Sequence, residues 1–319
     1  MSIIFSIDAK MKKKVNSPLK FATLSEAHRA MGMPKPKHPL ISLIKNANTG
    51  DQLLQPAGSH VMNFYKISYK PSRRGKLRYG QGYYDFDEGG LIFAAPNQVI
   101  GNHNEGGEAV GTCSLYTLLI HPDFLFNHPL SKKINQYGFF SYSTNEALHL
   151  SEEEKLIIIS IFEMIDSELD GRIDDFSQDV VVSQLEVLLN YANRFYKRQF
   201  ITRKSASNDV LQKLETILNN HFSSDQSASQ RIPTVQYLAN ELNISSSYLS
   251  DMLRVLTGKN AQQHIHEKLI EKAKEMLSTT SLSVGEVAYA LGFEHPQSFS
   301  KLFKIKTKFS PVEFRQSFN

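Results

Sequence analysis

The sequence has only one cysteine, Cys113, among its 319 residues. A single thiol excludes a fold held together by internal disulfides, and few cysteines are typical of a reducing compartment such as the cytoplasm. Long apolar runs are also lacking, and a membrane-spanning helix needs about 20 consecutive apolar residues. The first seven residues are too short for a signal peptide and are followed by Asp8. We therefore expect a cytoplasmic protein with no membrane partner.

A large excess of charge of one sign is also absent. The formal net charge is +4, and most of that excess lies in the part of the chain that begins with Arg203. Charge this modest does not by itself identify a nucleic-acid-binding protein. The length suggests two domains, and an apolar content of 41% allows each of them to bury a core.

The most informative feature that is present is a repeat in the last third of the chain. Its first copy covers residues 235–258 and its second copy covers residues 284–308. A repeat of this period indicates a small helical unit used twice. The matched positions are Leu238-Ala239 with Val287-Ala288, Leu242-Asn243-Ile244 with Leu291-Gly292-Phe293, Leu249-Ser250 with Phe299-Ser300, and Thr257 with Thr307.

Each copy predicts a helix, a tight turn and a second helix. In the second copy, Ser283 and Glu286 have the spacing of a capping box at a helix start. Gly292 suits the left-handed exit from that helix, and Pro296 is tolerated in the first turn of the next one. The corresponding predictions in the first copy are Thr234 as the cap, Asn243 in the turn, and Ser245 or Ser246 at the restart of the helix.

A short helix, a turn and a second helix make the helix-turn-helix motif, whose second helix enters the major groove of DNA. An ordinary helical hairpin is the alternative, and a single copy would favour it. Two copies with matched apolar positions and polar outer faces favour DNA binding instead. Four lysines lie along the second helix of the second copy without an acidic residue among them, and we expect phosphate contact there: Lys301, Lys304, Lys306 and Lys308.

The second copy resembles the DNA-binding domain of the AraC/XylS family of bacterial transcription regulators. The resemblance depends on an ordered series of short motifs, Gly292-Phe293, Ser298-Phe299-Ser300, Phe303-Lys304, Ser310-Pro311 and Phe314-Arg315. Two positions depart from the family pattern. Lys308 stands where glycine is usual, and Leu269 stands where a basic residue is usual. The resemblance is strong over about the last third of the chain and weaker before it.

The resemblance implies which side chains face DNA. The base-facing positions are Ser247, Ser250 and Asp251 in the first copy, and Gln297, Ser298 and Lys301 in the second. Glutamine can pair with adenine, lysine with guanine, and aspartate can accept from cytosine. Arg254 and Lys304 are expected at phosphates. Because the first copy is poor in cations and Asp251 repels phosphate, we expect the second copy to dominate affinity.

Between residues 40 and 120, short apolar or alternating runs are separated by Gly- and Asp-rich breaks. This pattern is typical of a β-sandwich or a small barrel. The resemblance implies a cupin-like effector domain here, with residues 63–67 and 90–99 as the similar segments. Four aromatic residues could line an effector pocket, with core packing as the alternative: Phe64, Tyr65, Tyr69 and Tyr84.

A cupin scaffold can also support a metal enzyme. His60, His103 and His121 lie in this part of the chain, but no pair has the close His-x-His spacing typical of an iron or manganese cupin. We therefore expect no metal, no cofactor and no catalytic residue. Three alternatives stay open: a cupin-fold metal enzyme fused to a DNA-binding domain, a regulator that has no ligand, and a helical module that does not bind DNA.

Residues 143–200 predict two helices. Ser151 and Glu154 have the spacing of a capping box, and the helix that follows is expected to end at Gly171. A second helix is predicted from about 176 to 200, with an apolar stripe wider than one contact surface needs. We expect these helices to pack on the β-domain and to supply a dimer interface. Packing within one chain alone is the alternative.

Together these features predict an α+β chain. We expect a cupin-like effector domain with a β-barrel or sandwich over residues 1–145, a helical dimerisation segment over 146–201 and a linker over 202–208. An all-α DNA-binding domain with two helix-turn-helix motifs is expected over 209–319, in which helix 261–277 holds the groove helices about one DNA turn, ~34 Å, apart.

The expected function is an activator of transcription that responds to a small-molecule effector. It would bind promoter or operator DNA as a homodimer and contact RNA polymerase. It would lie in the cytoplasm and join the nucleoid when bound to DNA.

Overall fold

The computed structural model describes ten segments of the chain: residues 18–46, 60–71, 76–79, 82–85, 89–100, 114–143, 146–171, 176–202, 204–223 and 231–317. We refer to residues 18–202 as the N-terminal half and to residues 204–317 as the C-terminal half. The described strands all lie in the N-terminal half, and the C-terminal half is helical.

The described strands are short. In chain order they are β1 (Leu19–Phe21), β2 (Ile41–Lys45), β3 (His60–Met62), β4 (Tyr65–Lys70), β5 (Lys76–Tyr79), β6 (Gly82–Asp85), β7 (Gly90–Ala94), β8 (Val99–Ile100), β9 (Tyr116–Ile120) and β10 (Leu148–His149).

The largest sheet has five strands in the order β10–β7–β4–β9–β2, and every neighbouring pair is antiparallel. Ile67 lies opposite Phe93 on one side and Leu118 on the other. These three side chains are buried in the same apolar cluster. Apolar residues paired across strands in this way stabilise the sheet and fix its register.

The remaining described strands form two smaller sheets. One has the order β1–β3–β8, with β1 parallel to β3, and the other is the hairpin β5–β6. A closed barrel requires each edge strand to pair with another strand. Among the described strands, β2 and β10 end the five-stranded sheet without such a partner. The predicted sheets and accessory helices are therefore present, but the described strands do not form a closed barrel. The sandwich and the cupin-like fold stay predictions.

Helices cover the five-stranded sheet. The N-terminal half contains α1 (Leu24–Ala30), α2 (Leu130–Lys133), α3 (Glu152–Asp170) and α4 (Ser177–Thr202). α3 begins at the predicted capping box of Ser151 and Glu154. It then lays Phe162 flat against Tyr116 of β9, with ring centroids 5.1 Å apart. α4 packs beside α3 and reaches β10.

Seven helices are described in the C-terminal half. They are α5 (Lys204–Ser223), α6 (Val235–Glu241), α7 (Ser246–Thr257), α8 (Ala261–Thr279), α9 (Val284–Ala290), α10 (Pro296–Thr307) and α11 (Pro311–Gln316). None of the described helices is both long enough and apolar enough to cross a bilayer.

The segment 202–208, predicted as a linker, contains the last residue of α4 and the first residues of α5. Ser207 is buried there, and its hydroxyl donates to the carbonyl of Phe200 over 3.2 Å. The hydroxyl of a serine can therefore be hydrogen-bonded inside a helical segment, although polar, serine-rich segments are typical of loops. The boundary between two domains at this place stays a prediction.

Buried apolar side chains join the two halves. One cluster includes Leu118 of the sheet, Leu188 of α4, and Leu249 and Phe299 of the C-terminal half. A second, smaller cluster lies under α1 and includes Leu24 and Phe64. Burying one such side chain contributes roughly 1.5–3 kcal/mol. The C-terminal half therefore packs against the N-terminal half.

Candidate nucleic-acid interface

The two copies of the repeat fold into two matching helix pairs, α6 with α7 and α9 with α10. The turn between the helices of each pair contains one residue in the left-handed conformation, Asn243 with φ 56° in the first pair and Gly292 with φ 85° in the second. Both residues are the ones that the sequence predicts for these turns.

The predicted caps fix where these helices begin. Thr234 and Ser245 accept from the backbone amides of Tyr237 and Tyr248 at the starts of α6 and α7. Ser283 and Glu286 form the predicted capping box at the start of α9. The hydrogen bonds from Ser283 lower the pKa of the Glu286 carboxyl. An ionised carboxylate at this end of a helix is favoured by the helix dipole.

Apolar residues hold each pair together. Leu238, Leu249 and Leu253 are buried in the first pair, and Val287 and Phe303 are buried in the second. Because these residues recur at the matched positions of the repeat, the same inner face is formed twice. The opposite faces of α7 and α10 are left for polar side chains.

α8 connects the two pairs. Its 19 residues span roughly 28 Å at 1.5 Å per residue. Ile265, Leu269 and Ala273 are all fully buried along its inner face. Burial explains why Leu269, an apolar residue, is suitable at a position that is usually basic in the resembled family. It also means that Leu269 makes a core contact and not a phosphate contact.

The outer face of α10 is open. Four of the predicted DNA contacts are exposed there, while Phe299 and Phe303 point into the core. Lys306 is also exposed, and α10 itself has no acidic residue. The face is therefore polar and positively charged, as a surface that meets phosphates needs to be. The four contacts are Gln297, Ser298, Lys301 and Lys304.

The outer face of α7 differs from that of α10. Ser247 and Ser250 are half-buried, and the Asp251 side chain is only 29% exposed. Asp251 accepts a hydrogen bond from the Nη1 of Arg254 over 2.9 Å, which pairs the one cation of this helix with its acid. Arg254 is itself exposed. The two matched helices thus present unequal charge.

A family model described as a helix-turn-helix domain matches residues 238–317, which begin inside α6 and include α7 to α11. An uncharacterised HTH-type transcriptional regulator in the cgkA 5′ region of Pseudoalteromonas carrageenovora is 31% identical over 113 residues. That alignment covers 35% of this chain and 63% of the relative. Residues 238–317 form a helix-turn-helix domain of the AraC/XylS type, which is the type found in transcription regulators.

Two further matches are a curated relative and a solved structure. The HTH-type transcriptional activator RhaS of Enterobacter sp. strain 638 is 29% identical over 141 residues, which cover 44% of this chain and 46% of RhaS. A solved structure, the C-terminal domain of the two-component response regulator yesN from Fusobacterium nucleatum, is 33% identical. It covers 32% of this chain and 96% of that domain, with a TM-score of 0.28. The chain spans less than two thirds of the length of the curated relatives it matches.

The outer face of α7 lies against the N-terminal half. The phenol of Tyr142 donates to Asp251 Oδ2 over 2.8 Å. Tyr248 of α7 packs edge-on against Tyr142 and against Phe200 of α4, with ring centroids 5.2 Å and 5.1 Å away. Burial raises the pKa of Tyr142, and the charge of Asp251 raises it further. The phenol is therefore neutral and acts as the donor.

A second polar contact holds the start of α7. Both carboxylate oxygens of Glu146 accept from Ser245, one from its backbone amide and one from its hydroxyl, each over 2.6 Å. The amide of Ser143 donates to the same carboxylate over 2.6 Å. Glu146 is 1% exposed. Burial raises its pKa, while the hydrogen bonds from Ser245 and Ser143 oppose that rise.

Sequence reasoning missed Tyr142, Glu146 and Tyr248. Glu146 and Ser245 are 99 positions apart, so no local pattern joins them. One signal was available, because Tyr248 occupies the position at which the second copy has the exposed Ser298. A large aromatic residue on an outer face indicates that something covers it.

The aromatic residues predicted for an effector pocket are placed in two separate clusters. Phe64 is buried under α1, whereas Tyr65 and Tyr69 are buried in the main cluster. Tyr65 also donates to Asn135 Oδ1 over 3.3 Å. Tyr84 belongs to β6, and its side chain lies outside the described part of the chain. Effector binding by these residues stays a prediction.

The histidines considered for a metal site do not gather in the part of the chain that is described. His121 caps the turn after β9 by accepting from the amide of Asp123, and His60 lies in β3. Among the described residues, no group of three or more His, Cys, Asp or Glu side chains could hold a metal ion. His103 and Cys113 lie outside the described residues.

Proposed function

We propose that this chain regulates transcription by binding promoter or operator DNA through two helix-turn-helix motifs, with α7 and α10 as the helices that enter the major groove. The observation that carries this proposal is the outer face of α10, where Gln297, Ser298, Lys301 and Lys304 are exposed. The same face has no acidic residue on its helix. Such a face supplies donors for base edges together with charge for phosphates.

The two helices have different roles in this proposal. Gln297 and Lys301 read bases on the second half of the site, and Lys304 contacts a phosphate. Ser247, Ser250 and Asp251 tune the sequence read by the first half, and Arg254 is its phosphate contact. Because Asp251 pairs with Arg254 and repels phosphate, α7 contributes less to affinity than α10 does.

A gel-shift with genomic fragments and the full chain tests DNA binding. The paired variant Lys301→Ala with Lys304→Ala removes two exposed cations from α10, and we expect it to abolish the shift. Lys20→Ala is the control, because Lys20 is an exposed cation of β1 in the other half of the molecule. A helical module that never meets DNA would give no shift with any of the three proteins.

The N-terminal half is proposed to be a cupin-like domain that senses a small-molecule effector. Support comes from its antiparallel five-stranded sheet and from its direct contact with α7. A ligand that binds the folded form raises the melting temperature by mass action. Metabolite fractions should therefore raise the melting temperature of the wild-type chain. A regulator without a ligand would show no such rise, and tightly bound iron or manganese would favour the cupin-enzyme alternative.

A homodimer is proposed on the outer faces of α3 and α4. Large apolar side chains are exposed there, Leu156 and Met164 on α3 and Val180 and Val187 on α4. Exposed apolar groups on neighbouring helices favour association with a second copy. The test is sedimentation of the wild-type chain against Leu156→Glu, and we expect the variant to be a monomer. Val99→Glu, at an exposed site on β8, is the matched control.

Activation is the proposed sign of regulation, because RhaS, a relative, is described as an activator. An activator that contacts RNA polymerase must lie beside it on the promoter, in the cytoplasm with the nucleoid. A reporter gene placed downstream of a DNA fragment that the chain retains would distinguish activation from repression. Its expression should fall when the gene for this chain is removed, and a rise would instead indicate a repressor.

A further inference from the structure

We propose that the N-terminal half holds the DNA-facing side of α7 in competition with DNA, so that the closed chain engages DNA through α10 alone. This inference rests on the proposed function. The residues that make the contact are Gly138, Tyr142 and Glu146 on the N-terminal side, and Ser245, Tyr248 and Asp251 on α7 and its cap. We call this set the α7 clamp.

The first part of the α7 clamp is at the start of α7. The free amides and hydroxyls at the start of a helix are a site for phosphate, and the second helix of a helix-turn-helix enters DNA by that end. In this chain the amide and the hydroxyl of Ser245 both donate to the Glu146 carboxylate. A buried carboxylate thus takes the donors that a phosphate would need. Glu146 and a phosphate cannot both accept from them.

The second part lies one turn further along α7. Asp251 is a predicted base-facing residue, and its Oδ2 accepts from Tyr142. Gly138 also lies beside this carboxylate, because a Cβ added there would come within 2.1 Å of Asp251 Oδ2. A base edge cannot reach Asp251 while Gly138 and Tyr142 occupy this place. At the matched position of the second copy, Lys301 is exposed.

The third part is aromatic. Tyr248 is 5% exposed and packs edge-on against Tyr142 and Phe200. Its counterpart Ser298 on α10 is exposed. Edge-to-face aromatic pairs add to the gain from burying apolar area. The difference between the copies is therefore explained by the clamp, because only the first copy has a partner for an aromatic ring.

The apparent affinity of α7 for DNA equals its intrinsic affinity multiplied by the fraction of molecules in which α7 is free of the clamp. A hydrogen bond to a charged group changes such an equilibrium by roughly a factor of ten or more. Removing one clamp contact should therefore raise the affinity of the full chain for DNA by about tenfold. It should also lengthen the protected DNA by about one helical turn, or ~10 base pairs, because α7 then occupies the next major groove.

The test compares two full-length variants with the wild-type chain on genomic fragments that the wild-type chain retains. Tyr142→Phe removes only the hydroxyl that reaches Asp251. Gly138→Ala adds one methyl group against that carboxylate, which can swing away. Tyr137→Phe is the matched control, because its hydroxyl donates to Asn190 Oδ1 over 2.8 Å and belongs to the same turn. We expect tighter binding and a longer footprint from the first two variants and neither change from the control.

Unchanged affinity and footprint in folded Tyr142→Phe and Gly138→Ala, with wild-type binding intact, would overturn the clamp and leave the proposed function standing. A wild-type chain that retains no DNA would overturn both. If the variants do not fold, the footprint of the wild-type chain decides. Because α7 is held by the N-terminal half, protection should extend over one major groove only. Protection of two successive major grooves by the wild-type chain would overturn the clamp.

Discussion

Gly258 and Lys308 hold the same left-handed position at the ends of α7 and α10, with φ of 76° and 72°. In each case the backbone amide donates to the carbonyl four residues earlier, that of Arg254 or Lys304. Glycine adopts this conformation without steric cost, whereas another residue loses roughly 1–2 kcal/mol. The second copy therefore carries backbone strain that the first copy avoids. The strain arises because lysine stands at a position where the resembled family usually has glycine.

Lys308→Gly should relieve that strain. We expect the free energy of unfolding to rise by about 0.5–1 kcal/mol, since part of the gain is offset by the greater freedom of glycine in the unfolded chain. Urea denaturation of the full chain measures it. Lys306→Gly is the control in the helical part of α10, and it should lower the stability by about 1 kcal/mol. Destabilisation of equal size by both changes would contradict this account of Lys308.

The two groove helices should contribute unequally to binding. Lys301→Ala removes an exposed cation that is predicted to read a base, and a good base contact is worth about 1–3 kcal/mol. Ser247→Ala removes a half-buried hydroxyl of α7. Titration of a retained DNA fragment should show a loss of tenfold or more for Lys301→Ala and a much smaller loss for Ser247→Ala. Equal losses would count against the dominance of α10.

Lys304 should act as a phosphate contact. Each cation that neutralises a phosphate contributes about one unit to the slope of log affinity against log salt. Lys304→Ala should therefore flatten this slope by about one unit and weaken binding to different sequences alike. Lys20→Ala, the exposed cation on β1, should leave the slope as it is. A loss of affinity confined to one DNA sequence would instead indicate that Lys304 contacts a base edge.

Acid should lower the stability of the C-terminal half against unfolding, because His264 is then protonated more readily in the unfolded chain. This side chain lies 2.9 Å from Thr257 Oγ1, and burial lowers its pKa from the ordinary value of 6.5. Because the unfolded chain then binds the proton more readily than the folded one, stability is present above about pH 6.5 and falls as the pH drops below it. Thermal unfolding at pH 7.5 and 5.5 should show a smaller loss for His264→Gln than for the wild-type chain. If both proteins lost the same stability between pH 7.5 and 5.5, His264 would not be the cause of the acid sensitivity.

Local signals in the sequence predict the ends of the helices well, because each cap is made by residues a few positions apart. The capping boxes of Ser151 and of Ser283 are both formed, and Pro296 opens α10. Asn243 and Gly292 take the left-handed conformation in the predicted turns. Each of these features depends on short-range sterics and hydrogen bonds, so a pattern of a few residues is enough to predict them.

Long-range relations are not contained in such patterns. The parallel pairing of β1 with β3 and the contact of Glu146 with Ser245 each join distant segments. The polar outer face of α7 predicts exposure, yet Ser247 and Ser250 are half-buried. Neighbouring residues of α7, Tyr248 and Asp251, contact the N-terminal half, whose surface the sequence of α7 does not encode. For the same reason, the sequence alone could not show that Asp251 has a partner.

Binding of DNA by the outer face of α10 can be measured by sequencing the genomic DNA that the purified full chain retains, with the paired variant Lys301→Ala and Lys304→Ala run beside it. We expect the wild-type chain to enrich fragments that share one sequence and the paired variant to enrich none. If the wild-type chain retains no fragment above background, or if the paired variant retains the same fragments equally well, the outer face of α10 is not the DNA-binding surface.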